Sequence, residues 1–201
     1  MISRRDALRL VPGAVLLVAG LGAAAPARAL GGDEAESFVR ETVDEVLALV
    51  RQPGSADSKA DELRTILERR AAMPQIARAA AGPIWRDMSA AEQDRYTDAF
   101  ILYISKIYAR RFSEYSGEQV EVGRARDQGN RGVLVTTTVR GGGGQPVAVE
   151  WLVTDRPGRT VVADIVIEGV SLVITQRDEI SGIYASRGRD AGKLIEFLQN
   201  A

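Results

Sequence analysis

Residues able to carry covalent chemistry are sparse in this chain. It contains no histidine and no cysteine. That removes thiolate nucleophiles, disulfide scaffolds, imidazole-based triads and the usual zinc ligand sets. Carboxylates remain, and Asp164 and Glu168 are the pair an enzyme built on a cone-shaped α+β fold would use. Both fall on one predicted strand, Thr160–Glu168. On that strand Val161, Ala163, Ile165 and Ile167 share one face at period two, and Val162, Asp164, Val166 and Glu168 share the other. The two carboxylates are therefore expected to point away from any pocket lined by the apolar face. Gly141–Gly144 offers a second possibility, a phosphate cradle, but no lysine or helix start follows it, so it reads as a hairpin loop. Arg110, Arg111, Arg124, Arg126, Arg131 and Arg140 gather near the end of a long predicted helix and the first predicted hairpin. They suit either a phosphate group or an acidic docking surface, or they are solvated surface charge. No catalytic residue, metal ligand or cofactor is assigned.

The elements that would position these groups follow from periodicity. Glu34–Val50 is amphipathic, with Val39, Val43, Val46 and Val50 at helical spacing, and Pro53-Gly54-Ser55 stops it. Asp57-Ser58-Lys59 reads as a loop, and a second helix is expected from Ala60 to Met73, burying Leu63, Ile66 and Leu67. Pro74–Ala81 is a short helix closed by Gly82-Pro83. Ser89 and Glu92 form a capping box that starts the longest helix, reaching about Tyr115. Four of the five tyrosines and two of the four phenylalanines lie between Tyr96 and Tyr115, so this helix carries most of the aromatic surface. The period then changes to two. Strands are expected at Gln119–Arg126, Val133–Val139, Pro146–Thr154 and Thr160–Glu168. Their short connections make an antiparallel meander. Gly169 breaks the last run, and helices follow at about Gln176–Ser186 and Asp190–Gln199. The expected fold class is α+β, a four-stranded antiparallel meander sheet with N-terminal and C-terminal helices on one face, a face that suits either a packed core or an enclosed apolar cavity.

Residues 1–29 have the layout of an export signal: Ser3-Arg4-Arg5 and Arg9, an apolar run Leu10–Ala25, and the small-x-small site Ala27-Arg28-Ala29. The run is short for a membrane span, an uncleaved anchor being the alternative. The paired arginines resemble a twin-arginine signal, although Ala7 stands where a bulky aromatic is common, which leaves the general export route open. Residues 30–201 then form a single domain. Removing residues 1–29 takes away four arginines and one aspartate, leaving 22 basic against 26 acidic side chains and a net charge of −4. That argues against a nucleic-acid partner.

Several segments occur in an order that resembles a known family. They are Phe38–Leu49; Pro74-x-Ile76-Ala77-Arg78 with Gly82-x-x-Trp85; Met88-Ser89-x-x-Glu92-Gln93; and Phe112-Ser113-Glu114-Tyr115-Ser116-Gly117. Asp164-x-x-Ile167-Glu168-Gly169-Val170-Ser171-Leu172-Val173 and Arg177 complete the set. Together they look like the MlaC (toluene-tolerance) family of periplasmic phospholipid-binding proteins. The resemblance implies a soluble carrier, not an enzyme, that holds phospholipid acyl tails in a deep apolar cavity. It implies shuttling between an inner-membrane ABC transporter complex and an outer-membrane lipoprotein–porin complex, which maintains outer-membrane lipid asymmetry. A hopanoid-associated branch of the family makes a different lipid an open alternative, and a cargo-free docking module is another.

Physical chemistry supports the carrier. Two acyl chains carry some thirty methylenes, each costing about 0.8 kcal/mol to expose to water. Hiding them requires a dry wall and polar groups only at the mouth. The residues expected to line such a wall are Ile84, Trp85, Phe100, Tyr103, Ile104, Ile107, Val135, Val149, Trp151, Val153, Ile165, Ile167 and Leu172. Ordinary core packing is the alternative for each, because a core wall and a cavity wall share one pattern. Tyr103 and Tyr108 suit the mouth, since each phenol needs a partner or water.

Overall fold

The structure, a computed structural model, describes residues 30–112, 117–141 and 145–201. The predicted export segment 1–29, residues 113–116 and residues 142–144 of the glycine loop lie outside the described residues. The chain runs α1 (Gly32–Arg51), α2 (Ala56–Arg70), α3 (Met73–Ala81), a 3₁₀ turn (Gly82–Asp87) and α4 (Ala90–Arg111). The sheet follows as β1 (Gln119–Asp127), β2 (Val133–Arg140), β3 (Val147–Arg156), β4 (Arg159–Ile167) and β5 (Val170–Ser171). Two helices end it, α5 (Leu172–Ser186) and α6 (Ala191–Asn200). The fold is α+β, and the strands lie in chain order with every neighbouring pair antiparallel.

The sheet has five strands, not four. Glu168 and Gly169 both adopt positive φ, 48° and 84°. A two-residue hairpin of the type I′ class needs that left-handed geometry at both central positions. The break expected at Gly169 is therefore a reversal, after which Ile167 pairs with Val170 and Val166 with Ser171.

β4 also departs from simple alternation. Trp151 faces Ile165 and Leu152 faces Asp164, but Val153 faces Val162. Ala163 is thus the extra residue of a β-bulge. The expected face of Val161, Ala163, Ile165 and Ile167 is corrected accordingly. Val162 joins Ile165 and Ile167 on the helix-facing side, and Val161 pairs with Thr154. The α2–α3 connection meets the sheet at the same point. Ala71 forms a parallel bridge to Val162, and the Ala72 N–H donates to the Val162 carbonyl at 2.9 Å.

Two helix starts move as well, both through serine caps. Ser55 accepts from the Ser58 N–H, so Asp57–Lys59 form the first turn of α2 rather than a loop. Ser171 accepts from the Ile174 N–H, so α5 begins at Leu172 rather than near Gln176. The capping box at α4 forms: Glu92 N–H donates to Ser89 Oγ at 3.3 Å, and Ser89 N–H to Glu92 Oε2 at 2.8 Å. These bonds from Ser89 hold the Glu92 carboxyl below its ordinary pKa.

The helices cover the sheet face bearing Val133, Val135, Thr137, Val149, Trp151, Val153 and Ile165. Leu134, Thr136, Glu150 and Leu152 on the other face are half-buried. Three apolar clusters result. α1 lays Ala35, Val39 and Val43 directly on Val133, Val135 and Val153. A larger cluster packs Ala77, Ala80, Tyr96, Phe100, Ile180, Leu194 and Leu198 from α3, α4, α5 and α6. A third joins Leu49 of α1 to Leu63 and Ile66 of α2.

Candidate functional site

A cavity of about 240 Å³ lies between these clusters. That is slightly under the roughly 300–1,000 Å³ of ordinary ligand pockets. The sheet contributes Trp151, Val162, Asp164 and Ile165. α4 contributes Phe100, Ile104 and Tyr108, with Phe112 just beyond its end, a seam of residues four apart that a helix stacks on one face. α1 and α2 close one side with Thr42, Val46, Leu63, Ile66, Leu67 and Arg70. Ala71, Met73 and Ile76 close another, and α5 supplies Leu172, Val173 and Gln176. No polar atom of this wall is exposed to the cavity.

Most polar side chains around the wall are committed elsewhere. The Thr42 hydroxyl donates to the Phe38 carbonyl at 2.7 Å. Arg70 donates to Glu45 at 3.0 Å and to Glu41 at 3.3 Å, and its guanidinium lies 5.4 Å from the Phe38 ring centre. Such a side chain keeps its charge at the surface while its stem adds to an apolar wall. Arg69 pairs with Glu45 as well.

Asp164 was expected to face away from the cavity; it keeps that register, opposite Leu152 on the outer face of the sheet, yet it still borders the cavity. Its carboxylate is nevertheless engaged. Oδ1 accepts from the Ile165 N–H at 2.8 Å and the Val173 N–H at 3.3 Å, and Oδ2 accepts from the Ser171 hydroxyl at 2.6 Å. Asp164 therefore caps α5 and ties it to β4, with its charge at the positive end of the helix. Glu168 is exposed on the β4–β5 turn. The two carboxylates do not converge.

Of the thirteen residues named from the sequence, Phe100, Ile104, Trp151, Ile165 and Leu172 line the cavity. Ile84 is buried beneath the 3₁₀ turn, where Trp85 meets Tyr96 edge-on at 6.2 Å. Val135 and Val153 pack under α1. Val149 is buried, and its carbonyl accepts from Thr137; the Thr137 hydroxyl in turn accepts from the Trp151 indole at 3.0 Å. Ile107 packs against the large helical cluster, and Ile167 is half-buried opposite Val149. Tyr103 lies on the far flank of α4, its hydroxyl donating to Glu179 at 2.7 Å and its ring 6.1 Å from Phe197. Burial, then the Glu179 hydrogen bond, pushes its phenol above the ordinary tyrosine range. Tyr108 borders the cavity, and burial raises its pKa against the opposing charge of Arg111.

Three of the arginines have partners on or beside the first hairpin. Arg140 pairs with Glu121, Arg126 with Glu150, and Arg131 bonds to Gln128. Periodicity had buried Leu63, Ile66 and Leu67 without indicating a void beside them. Val162 was hidden by the bulge, and nothing in the sequence marked Gln176.

The MlaC protein family model matches residues 40–200. A phospholipid-binding protein from Ralstonia solanacearum, solved in complex with a phospholipid, superimposes with a TM-score of 0.67. The two are 24% identical, and the match covers 83% of this chain and 95% of that one. At that identity the likeness establishes the fold, while the family match spans most of the chain. The chain belongs to the MlaC family.

Proposed function

We propose that this protein is a periplasmic phospholipid carrier, exported by residues 1–29. It shelters acyl chains in the cavity between β3, β4 and helices α1–α5. It passes lipid between an inner-membrane ABC transporter complex and an outer-membrane lipoprotein–porin complex, and so maintains outer-membrane lipid asymmetry. The observation that carries this reading is the cavity wall itself: contributions from seven elements and the α2–α3 connection converge on one space, with no exposed polar atom. A void of that kind destabilises a fold unless something fills it, because its lining forfeits dispersion contacts. Family membership and the fold shared with a phospholipid-bound protein support the same reading. Among the described residues no helix is long and apolar enough to cross a membrane. The commitment of Asp164 to capping and the outward position of Glu168 weigh against hydrolysis by a carboxylate pair.

Native mass spectrometry of residues 30–201, purified without detergent, tests the carrier. The expected result is added mass equal to one or two diacyl phospholipids. A hopanoid mass would change the cargo. A clean protein mass with no uptake from phospholipid vesicles would overturn the carrier in favour of a docking module.

A further inference from the structure

Gln176 is 8% exposed, and it borders the cavity from α5. Its Oε1 is the one buried side-chain oxygen among the cavity-lining residues that has no hydrogen-bond partner among the described residues. An unpaired buried oxygen is destabilising, and a methionine or leucine would fill the same place without that penalty. Other polar side chains of the lining are already bonded. Asp164 is occupied by Ile165, Val173 and Ser171, and Thr42 by Phe38. Position adds a second indication. Val170 and Ile174 are 57% and 55% exposed and flank Leu172 and Val173, which line the cavity. The cavity wall at the start of α5 thus adjoins exposed apolar surface, and Gln176 follows Leu172 one helical turn along. A lipid lying with its chains in the cavity and its headgroup outside places its glycerol oxygens near that level.

We infer that the Gln176 amide is the specificity-determining polar anchor of the cavity, hydrogen-bonding an oxygen at the glycerol level of the lipid and fixing how deep the chains insert. This rests on the carrier reading. Contact with the lipid requires the amide to turn toward the cavity about the side chain's own bonds. A free hydroxyl donates to its oxygen, and an ester carbonyl accepts from its N–H₂ after a half-turn.

Competition binding read by native mass spectrometry tests it with two lipid pairs: diester against diether phosphatidylglycerol, and lysophosphatidylglycerol against its deoxy analogue. One neutral hydrogen bond predicts about a three- to tenfold preference for the oxygenated member of one pair. The pair that shows it names the source, carbonyl or hydroxyl. Gln176→Met is expected to erase the preference while its melting temperature stays level or rises, a combination that mere loss of packing would not give. Equal binding within both pairs by the unaltered protein overturns the inference and leaves the carrier standing. So does a preference that survives in Gln176→Met. Failure of the unaltered protein to retain any of the four lipids overturns the carrier reading itself.

Discussion

The two ends of the sheet use the same residue types to different ends. Under α1, Val133, Val135 and Val153 meet Ala35, Val39 and Val43 in a filled core. A few residues away on the same face, Trp151, Val162 and Ile165 border open space. The difference lies in what covers them. α1 presents a small residue, Ala35, and two valines, so its backbone settles close to the strands. Over the other end α2, α4 and α5 face the same space with Leu63, Ile66, Phe100, Ile104 and Leu172, larger side chains that leave it open. A cavity in this fold is a property of the covering layer rather than of the strands beneath it.

That contrast can be broken at either end. Val135→Asp places an unpartnered carboxylate in the filled core and is expected to prevent folding, checked by loss of a cooperative thermal transition. Phe100→Ala acts at the boundary, since Phe100 is fully buried against Tyr96 yet also lines the cavity. It should cost about 3–5 kcal/mol in urea unfolding and reduce lipid retention as well. Asp164→Ala frees the start of α5 and should cost about 1–2 kcal/mol, the usual worth of a helix cap, with lipid still bound. Loss of binding there would mean that the seating of α5 shapes the cavity more than its apolar wall does. Ile165→Ala removes atoms that already border open space and should cost under about 1 kcal/mol while weakening lipid retention severalfold. If it destabilises as much as Phe100→Ala, the space beside Ile165 is filled and the contrast fails.

The smallest expected effect is a pH dependence. Glu92 has a lowered pKa through its bonds with Ser89. Its contribution is therefore present above the ordinary glutamate pKa and fades as pH falls through the lowered value. Glu92→Gln should remove that part of the acid sensitivity in melting-temperature scans, whereas Ile165→Ala should leave it unchanged.

The strand positions were legible because period two and turn residues are local signals. So were the caps at Ser89 and the aromatic seam of α4. What escaped was set by tertiary contact. The bulge at Ala163 coincides with Ala71 and Ala72 docking on Val162, a partner some ninety residues away that no local pattern reveals. It inverted the assignment of Val161 and Val162. The two-residue strand β5 was too short to show alternation. The split of α4 into a cavity flank at Phe100, Ile104 and Tyr108 and a packed flank at Tyr103 and Ile107 depended on where α5 and α6 lie. Both flanks are apolar, so helical periodicity could not separate them.

The strand order has a kinetic consequence. Because β1 to β5 pair strictly in sequence, the meander can zip up through short loop closures alone, a low-contact-order route that favours rapid formation. Its links to the N-terminal helices span far longer loops: Glu36 to Ala125, and Ala72 to Val162. Those closures carry the larger entropic cost, and the cavity exists only once they are made. A chain before that stage presents a sheet with an uncovered apolar face, when it is most exposed to aggregation.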